Sequence, residues 1–176
     1  AILDMSLRNA KVFRLERITQ NDKKNPHERS ERILKTLQSD LRLKELPVHI
    51  ECFDNSNFQG TNAVAACVVF KNAKPSKKDY RNFNIKTVEG PDDFASMEEV
   101  VYRRYKRLLE ENEPLPQLII VDGGKGQLSS GLLSLDKLGL RGKIGIVGIA
   151  KKLEEIYFPG DPIPAYIDKR SESLKL

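Results

Sequence analysis

The sequence predicts an α/β domain: a mixed five-stranded sheet in the order β-β-β-α-β-α-β, helices on both faces, and a helical connector in front. Three observations predict it. Short β-branched and aromatic-bearing runs crowd residues 47–88 and are joined by links too short for crossovers. Beyond residue 90, helical and strand-like hydrophobic periods alternate. Residues 1–46 contain no glycine and carry helical spacing alone. The division expected is therefore a connector at 1–46 and a sheet domain at 47–176.

In the connector, Ile2, Leu3, Met5, Val12 and Phe13 partly fit helical spacing. "NPHERSERILKTLQSDL" fits better. Asn25 is the expected cap, Pro26 suits the first turn, and Glu28 is expected to complete a capping box. Ile33, Leu34, Leu37 and Leu41 form its apolar stripe. "VHIECFD" and "NAVAACVVF" read as the first two strands, with "SNFQGT" as the hairpin turn. "YRNFNIKTV" is the third, with Tyr80, Asn82 and Asn84 alternating with Arg81, Phe83 and Ile85. The short link "KNAKPS" makes the three an antiparallel meander. "GPDDFASMEEVVYRRYKRLLEEN" is a helix of about 18 residues, with Phe94, Met97, Val101, Tyr105, Leu108 and Leu109 on one face. "QLIIVD" is the fourth strand. "GQLSSGLLSLDKLG" is a helix with Leu128, Leu132, Leu135 and Leu138 inward and Gly139 as its stop. "KIGIVGIA" is the fifth strand. The three prolines in residues 151–176 favour a loop with short strands, and Ser171 is placed to cap a new turn. A crossover through the long helix sets the fourth strand parallel to the first, with their C-terminal ends side by side.

The bulk properties bound the function only loosely. Thirty Lys+Arg against 25 Asp+Glu give a net charge of +5 and a pI near 9.1, which mildly favours a polyanionic partner. No apolar run reaches membrane-spanning length. Cys52 and Cys67 lack CxxC spacing and are expected to be reduced core residues of a cytoplasmic protein. No signal peptide is visible. The ends, Ala1 and "SESLKL", suggest a piece of a longer protein.

The chemistry gathers at strand ends. Asp54 closes the first strand and Asp122 the fourth. On adjacent strands about 4.8 Å apart, two carboxylates repel unless a cation lies between them. Oxygen ligands favour Mg2+ or Mn2+, which suits phosphodiester hydrolysis. Each Asp taken singly is also an ordinary turn residue. Asp92 and Asp93 open the long helix, where either capping or a supporting acid explains them. "DGGKGQL" fails as a phosphate loop, because the four-residue spacer and the hydroxyl after Lys-Gly are missing. Gly123 and Gly124 are instead expected to turn the chain sharply. Lys125 is either a phosphate contact or a solvated lysine. Tyr80 and Arg81, among Lys77, Lys78, Phe83 and Lys86, suit nucleic-acid contact or a lysine-guarded edge strand. Arg103, Arg104, Lys106 and Arg107 suit a DNA-facing patch or a solvated helix face. His27 and His49 lack metal-ligand spacing and are expected to be structural.

"IECFDNSNFQGTNAVAACVVF", "YRNFNIKTVEGPDDFASMEEVVYRRY", "LIIVDGGKGQL" and "VGIAKKLEEIY" closely resemble the C-terminal endonuclease region of the UvrC family of excision nucleases, from about Pro47 onward. The resemblance implies an RNase H-like fold and a metal-dependent incision of damaged double-stranded DNA 5′ to the lesion. It also implies partnership with UvrB, and with UvrA upstream. The family's catalytic aspartates map onto Asp54 of "CFDNS" and Asp122 of "VDGGKGQ", and a supporting acid onto Asp93 of "PDDF". Two departures stand out. Asn55, Ser56 and Asn57 replace the Ile-Ser-His of many members. The family's histidine segment and helix-hairpin-helix module lie beyond "DKRSESLKL". The 176 residues are therefore expected to fold the core and to cut DNA poorly. A rival reading is a catalytically inactive nucleic-acid-binding module of the same fold.

Overall fold

Two helices that meet at a proline begin the chain, seen here in a computed structural model that describes residues 2–56, 64–88, 90, 92–150 and 155–176. Helix α1 spans Ile2–Lys24 and α2 spans Pro26–Asp40. Pro26 supplies no N–H and biases Asn25 away from helical geometry, so the run breaks there. The expected capping box does not form. The Asn25 side chain makes no cap bond, and its Nδ2 donates to Glu28 Oε2 at 3.2 Å.

Ile33, Leu34, Leu37 and Leu41 are buried as their spacing implies. Leu34, Leu37 and Leu41 pack on Ile50, Leu118, Val147 and Ile156 of the sheet. The helix assigned from sequence to the connector thus covers one face of the sheet. Its C-terminal end is also tied to the end of the chain, because Asp40 accepts from the hydroxyls of Ser171 and Ser173 at 2.6 Å each.

The sheet contains β1 His49–Ser56, β2 Val64–Lys71, β3 Lys74–Pro75, β4 Arg81–Asn84, β5 Leu118–Asp122, β6 Gly145–Ala150 and β7 Glu155–Tyr157. Its order is β3-β2-β1-β5-β6-β7, with β4 also paired to β2. All five expected strands are present, β7 is a short strand of the kind expected in the C-terminal stretch, and β3 is a short addition. The third expected strand shrinks to four residues, because β3 and β4 share the outer edge of β2. The meander is antiparallel, and β5 runs parallel to both β1 and β6. Most of the "SNFQGT" turn, Pro91 and residues 151–154 lie outside the described residues.

Helix α3, Asp93–Glu110, and α4, Lys125–Lys137, cover the other face. The buried stripe of α3 is rotated from the one expected: Met97, Val100, Val101, Tyr105 and Leu108 face inward, whereas Phe94 and Leu109 are exposed. Phe94 lies beyond the end of that stripe and reaches across to α4 at Gly126. Phe53, Cys67, Ile119 and Val121 meet these two helices in the larger core, where Phe53 packs edge-on against Tyr105.

Candidate active site

The parallel register of β1 and β5 runs from Ile50–Leu118 to Phe53–Val121. One residue further along each strand stand Asp54 and Asp122. Their outer neighbours continue the row, Asp54 with Ala66 of β2 and Asp122 with Ile149 of β6. Phe53 and Val121 enter the α3–α4 core, while Ile50 and Leu118 face α2. By strand alternation Asp54 and Asp122 share the α2 face of the sheet. Both are half-buried.

Adjacent strands lie about 4.8 Å apart, so the two carboxylates project from neighbouring positions on a common face. Such a pair is a hard, all-oxygen donor set suited to a small divalent cation. Among the described residues, no three His, Cys, Asp or Glu side chains group closely enough to hold a metal ion. Asp93 therefore does not close a triad with the pair, and the two carboxylates would fill only part of an ion's coordination shell.

The ambiguity at the start of α3 resolves by geometry. Asp92 is the cap, its side chain accepting from the amides of Phe94 and Ala95 at 3.0 Å each. Asp93 is the first helical residue, and its carbonyl accepts from Asn55 Nδ2 at 3.0 Å. Asn55 follows Asp54 directly, so it fastens the first turn of α3 to the strand end that carries Asp54. Sequence reasoning assigned Asn55 no role, because an asparagine after a strand reads as turn chemistry.

The three glycines after Asp122 differ in purpose. Gly123 has φ +158°, and a Cβ there would lie 2.6–2.8 Å from the Gln127 side chain. A Cβ on Gly126 would run into the ring of Phe94, so this glycine lets α3 and α4 approach. Gly124 has an ordinary φ of −80° and precedes the first turn of α4. None of this builds a nucleotide cradle.

Lys125 opens α4 with its Nζ 5.8 Å from the centre of the Tyr157 ring. Tyr157 donates to Glu155 Oε2 at 2.6 Å and Tyr166 to Oε1 at 2.8 Å. These two bonds, chiefly that from Tyr157, outweigh slight desolvation and hold the Glu155 carboxyl below its usual range, with the Lys125 charge assisting. No periodicity in the proline-rich C-terminal stretch marks these tyrosines, and sequence reasoning passed over them.

The other candidate nucleic-acid contacts scatter. Arg81 is exposed on β4, its Nη1 donating to the carbonyls of Lys78 and Tyr80. Tyr80 is half-buried against the larger core. Arg103 pairs with Glu99 at 2.8 Å, donates to the Asn84 carbonyl, and stacks over Phe83 at 5.8 Å. Arg104 turns inward: its side chain is 12% exposed and grips Glu51 through Nη2 at 2.6 Å and Nε at 3.2 Å. It belongs neither to an outward patch nor to a solvated helix face.

Glu51 has a side chain with no exposure and takes a further bond from Tyr105 Oη at 2.9 Å. His49 Nε2 lies 3.4 Å from Glu51 Oε1, in a contact without hydrogen-bond geometry. Burial opposes the Glu51 charge, yet contacts from His49, Arg104 and Tyr105 outweigh it and hold the carboxyl at about 2. This network braces β1 against α3 and is absent from the sequence pattern, because Glu51 and Arg104 are 53 residues apart.

Comparison with known proteins gives a consistent result. The model of the UvrC RNase H endonuclease domain matches residues 38–176. The UvrABC system protein C of Flavobacterium johnsoniae is 69% identical over 175 residues, and that of Christiangramia forsetii 68%. The protein of that name from Porphyromonas gingivalis strain W83 is 59% identical. Each alignment covers 99% of this chain, and the chain spans 29% of the length of each of these relatives. Among solved structures, Ciona intestinalis endonuclease V in complex with an inosine-containing 24mer DNA is similar with a TM-score of 0.46 and 21% identity. That alignment covers 78% of this chain and 59% of the other.

Proposed function

The chain belongs to the UvrC RNase H endonuclease domain family, and from that premise we propose that it is the strand-cutting domain of a bacterial nucleotide excision repair protein. Its reaction is phosphodiester hydrolysis on damaged double-stranded DNA, 5′ to the lesion, with a divalent metal ion as cofactor. The observation that carries this reading is the carboxylate pair at the ends of β1 and β5, one step past the Phe53–Val121 register. A charge pair of this kind adds nothing to packing, and its mutual repulsion is relieved when a cation joins it.

Asp54 and Asp122 are the residues that would hold Mg2+ or Mn2+, and Asp93 is the supporting acid. When bound, the ion supplies positive charge to the phosphate and acidity to a water. Lys125 and the first amides of α4 attract the phosphate towards Asp122. Gly123 keeps the turn after Asp122 free of a side chain. Arg81 extends the positive surface on the far side of β2. The partners of the whole protein in this reading are UvrB and, upstream, UvrA, and its compartment is the cytoplasm.

The test uses the full-length protein with its partners on lesion-bearing DNA. Asp54→Asn and Asp122→Asn should each abolish the 5′ incision and leave DNA binding within about twofold of wild type, because each removes one charge without altering shape. Calorimetric Mn2+ titration should show weaker binding in both. Undiminished incision by Asp54→Asn refutes the assignment and leaves a module that only binds nucleic acid.

A further inference from the structure

We propose that Tyr166, Tyr157, Glu155 and Lys125 form a stacking platform for an unpaired nucleotide of a DNA strand, with its phosphate on Lys125. The choice of DNA as ligand rests on the endonuclease reading above; the platform itself rests on its own geometry.

Tyr166 is the exposed member, with 64% of its surface open to solvent. An aromatic ring this exposed gains little from burial, yet it is held in place twice. Its phenol donates to Glu155, and the residue before it is bridged to β7 by mutual Ile156–Ala165 backbone bonds of 2.8 Å. Tyr157, packed on the larger core, anchors the other oxygen of Glu155 and carries Lys125 over its ring. Each part therefore orients the next. The carboxylate does not repel a phosphate strongly, because two phenols solvate it and an ammonium lies nearby. What faces solvent is one ordered π-face beside one cation, the pairing that takes a base and its phosphate.

The platform lies on the α3–α4 side of the sheet, at the end of β5 whose α2 face carries the carboxylate pair. Val121 pairs with Gly148 and Gly148 with Tyr157, so Tyr157 stands two strands from the residue before Asp122. That backbone separation is about 10 Å, so a strand that reaches both passes round the end of the sheet. A base within a duplex is stacked on both sides, so a free ring selects an unpaired or unstacked one.

The test measures binding of the full-length protein, in EDTA so that nothing is cut, to a single-stranded oligonucleotide containing 2-aminopurine and to its duplex. Wild type should quench the fluorescence of the single strand. Tyr166→Phe keeps the ring and should bind within about twofold of wild type. Tyr166→Leu keeps apolar bulk without the π-face and should lose about 5- to 150-fold in single-strand affinity, together with the quench. Lys125→Gln should lower the salt dependence by about 0.7 in the log–log slope. Equal losses in the Phe and Leu variants, or no loss in either, overturn the proposal. Incision by Asp54→Asn protein would refute the catalytic reading and leave this one standing, whereas full binding by Tyr166→Leu would do the reverse.

Discussion

Replacing Arg104 by methionine removes the cation from a fully buried carboxylate while keeping most of the side-chain volume. Glu51 sits at about 2 in the folded protein, against an ordinary value of 4.5. That difference corresponds to about 3 kcal/mol of stability at neutral pH. In the wild type the folded value lies below the unfolded one. The contribution is therefore complete above pH 4.5 and is lost as the pH falls towards 2. In Arg104→Met the carboxylate keeps its burial and loses its one guanidinium partner, so its folded value rises towards the ordinary one. The stability that Glu51 contributes above pH 4.5 then shrinks with the difference between folded and unfolded values. Urea unfolding followed by circular dichroism, at steps from about pH 3 to 7, gives both curves. Other carboxylates titrate alike in the two proteins, so the difference curve isolates Glu51. The expected gap is about 3–5 kcal/mol at pH 7, shrinking towards pH 3. Adding Glu51→Gln to the variant should recover much of the loss. A gap under about 1 kcal/mol at pH 7, or one independent of pH, refutes the account of this network. Below its melting temperature the variant should keep the wild-type salt dependence of DNA binding, because Arg104 faces Glu51 rather than solvent.

Two further perturbations probe the frame of the site. Gly126→Ala puts a methyl against the Phe94 ring, which is exposed enough to swing aside, and should change stability by under about 1 kcal/mol, read from the melting temperature; a larger loss would show that the ring is fixed. Asp92→Ala should cost about 1 kcal/mol by uncapping α3, whereas Asp93→Ala should cost less stability and more incision activity; the opposite ranking would exchange the two roles.

The strands and helices were legible because their signals are local. β-Branched and aromatic-bearing runs marked β1 and β2, an i, i+3, i+4 stripe marked α2 and α4, and glycine stopped α4. The Asp54–Asp122 juxtaposition was also accessible, because chain order and crossover rules leave few ways to place the fourth strand. The resemblance to the UvrC family supplied the catalytic reading for that pair. The rotated face of α3 was less legible, since Phe94 and Leu109 satisfy helical spacing equally well and only the extent of the sheet decides which apolar residues it covers.

From the sequence alone came the α/β class, the five principal strands, the two acidic strand ends and the failure of the glycine turn as a nucleotide loop. Tertiary structure alone decided that Arg104 is consumed by Glu51, that Asp92 rather than Asp93 caps α3, and that Gly126 is small for the sake of Phe94. It also decided that Tyr157 and Tyr166 meet at Glu155 beside Lys125. The physical reason is range. Periodicity and turn chemistry act over a few residues, whereas a charge pair or a close helix contact depends on which distant side chain the fold brings within a few ångströms.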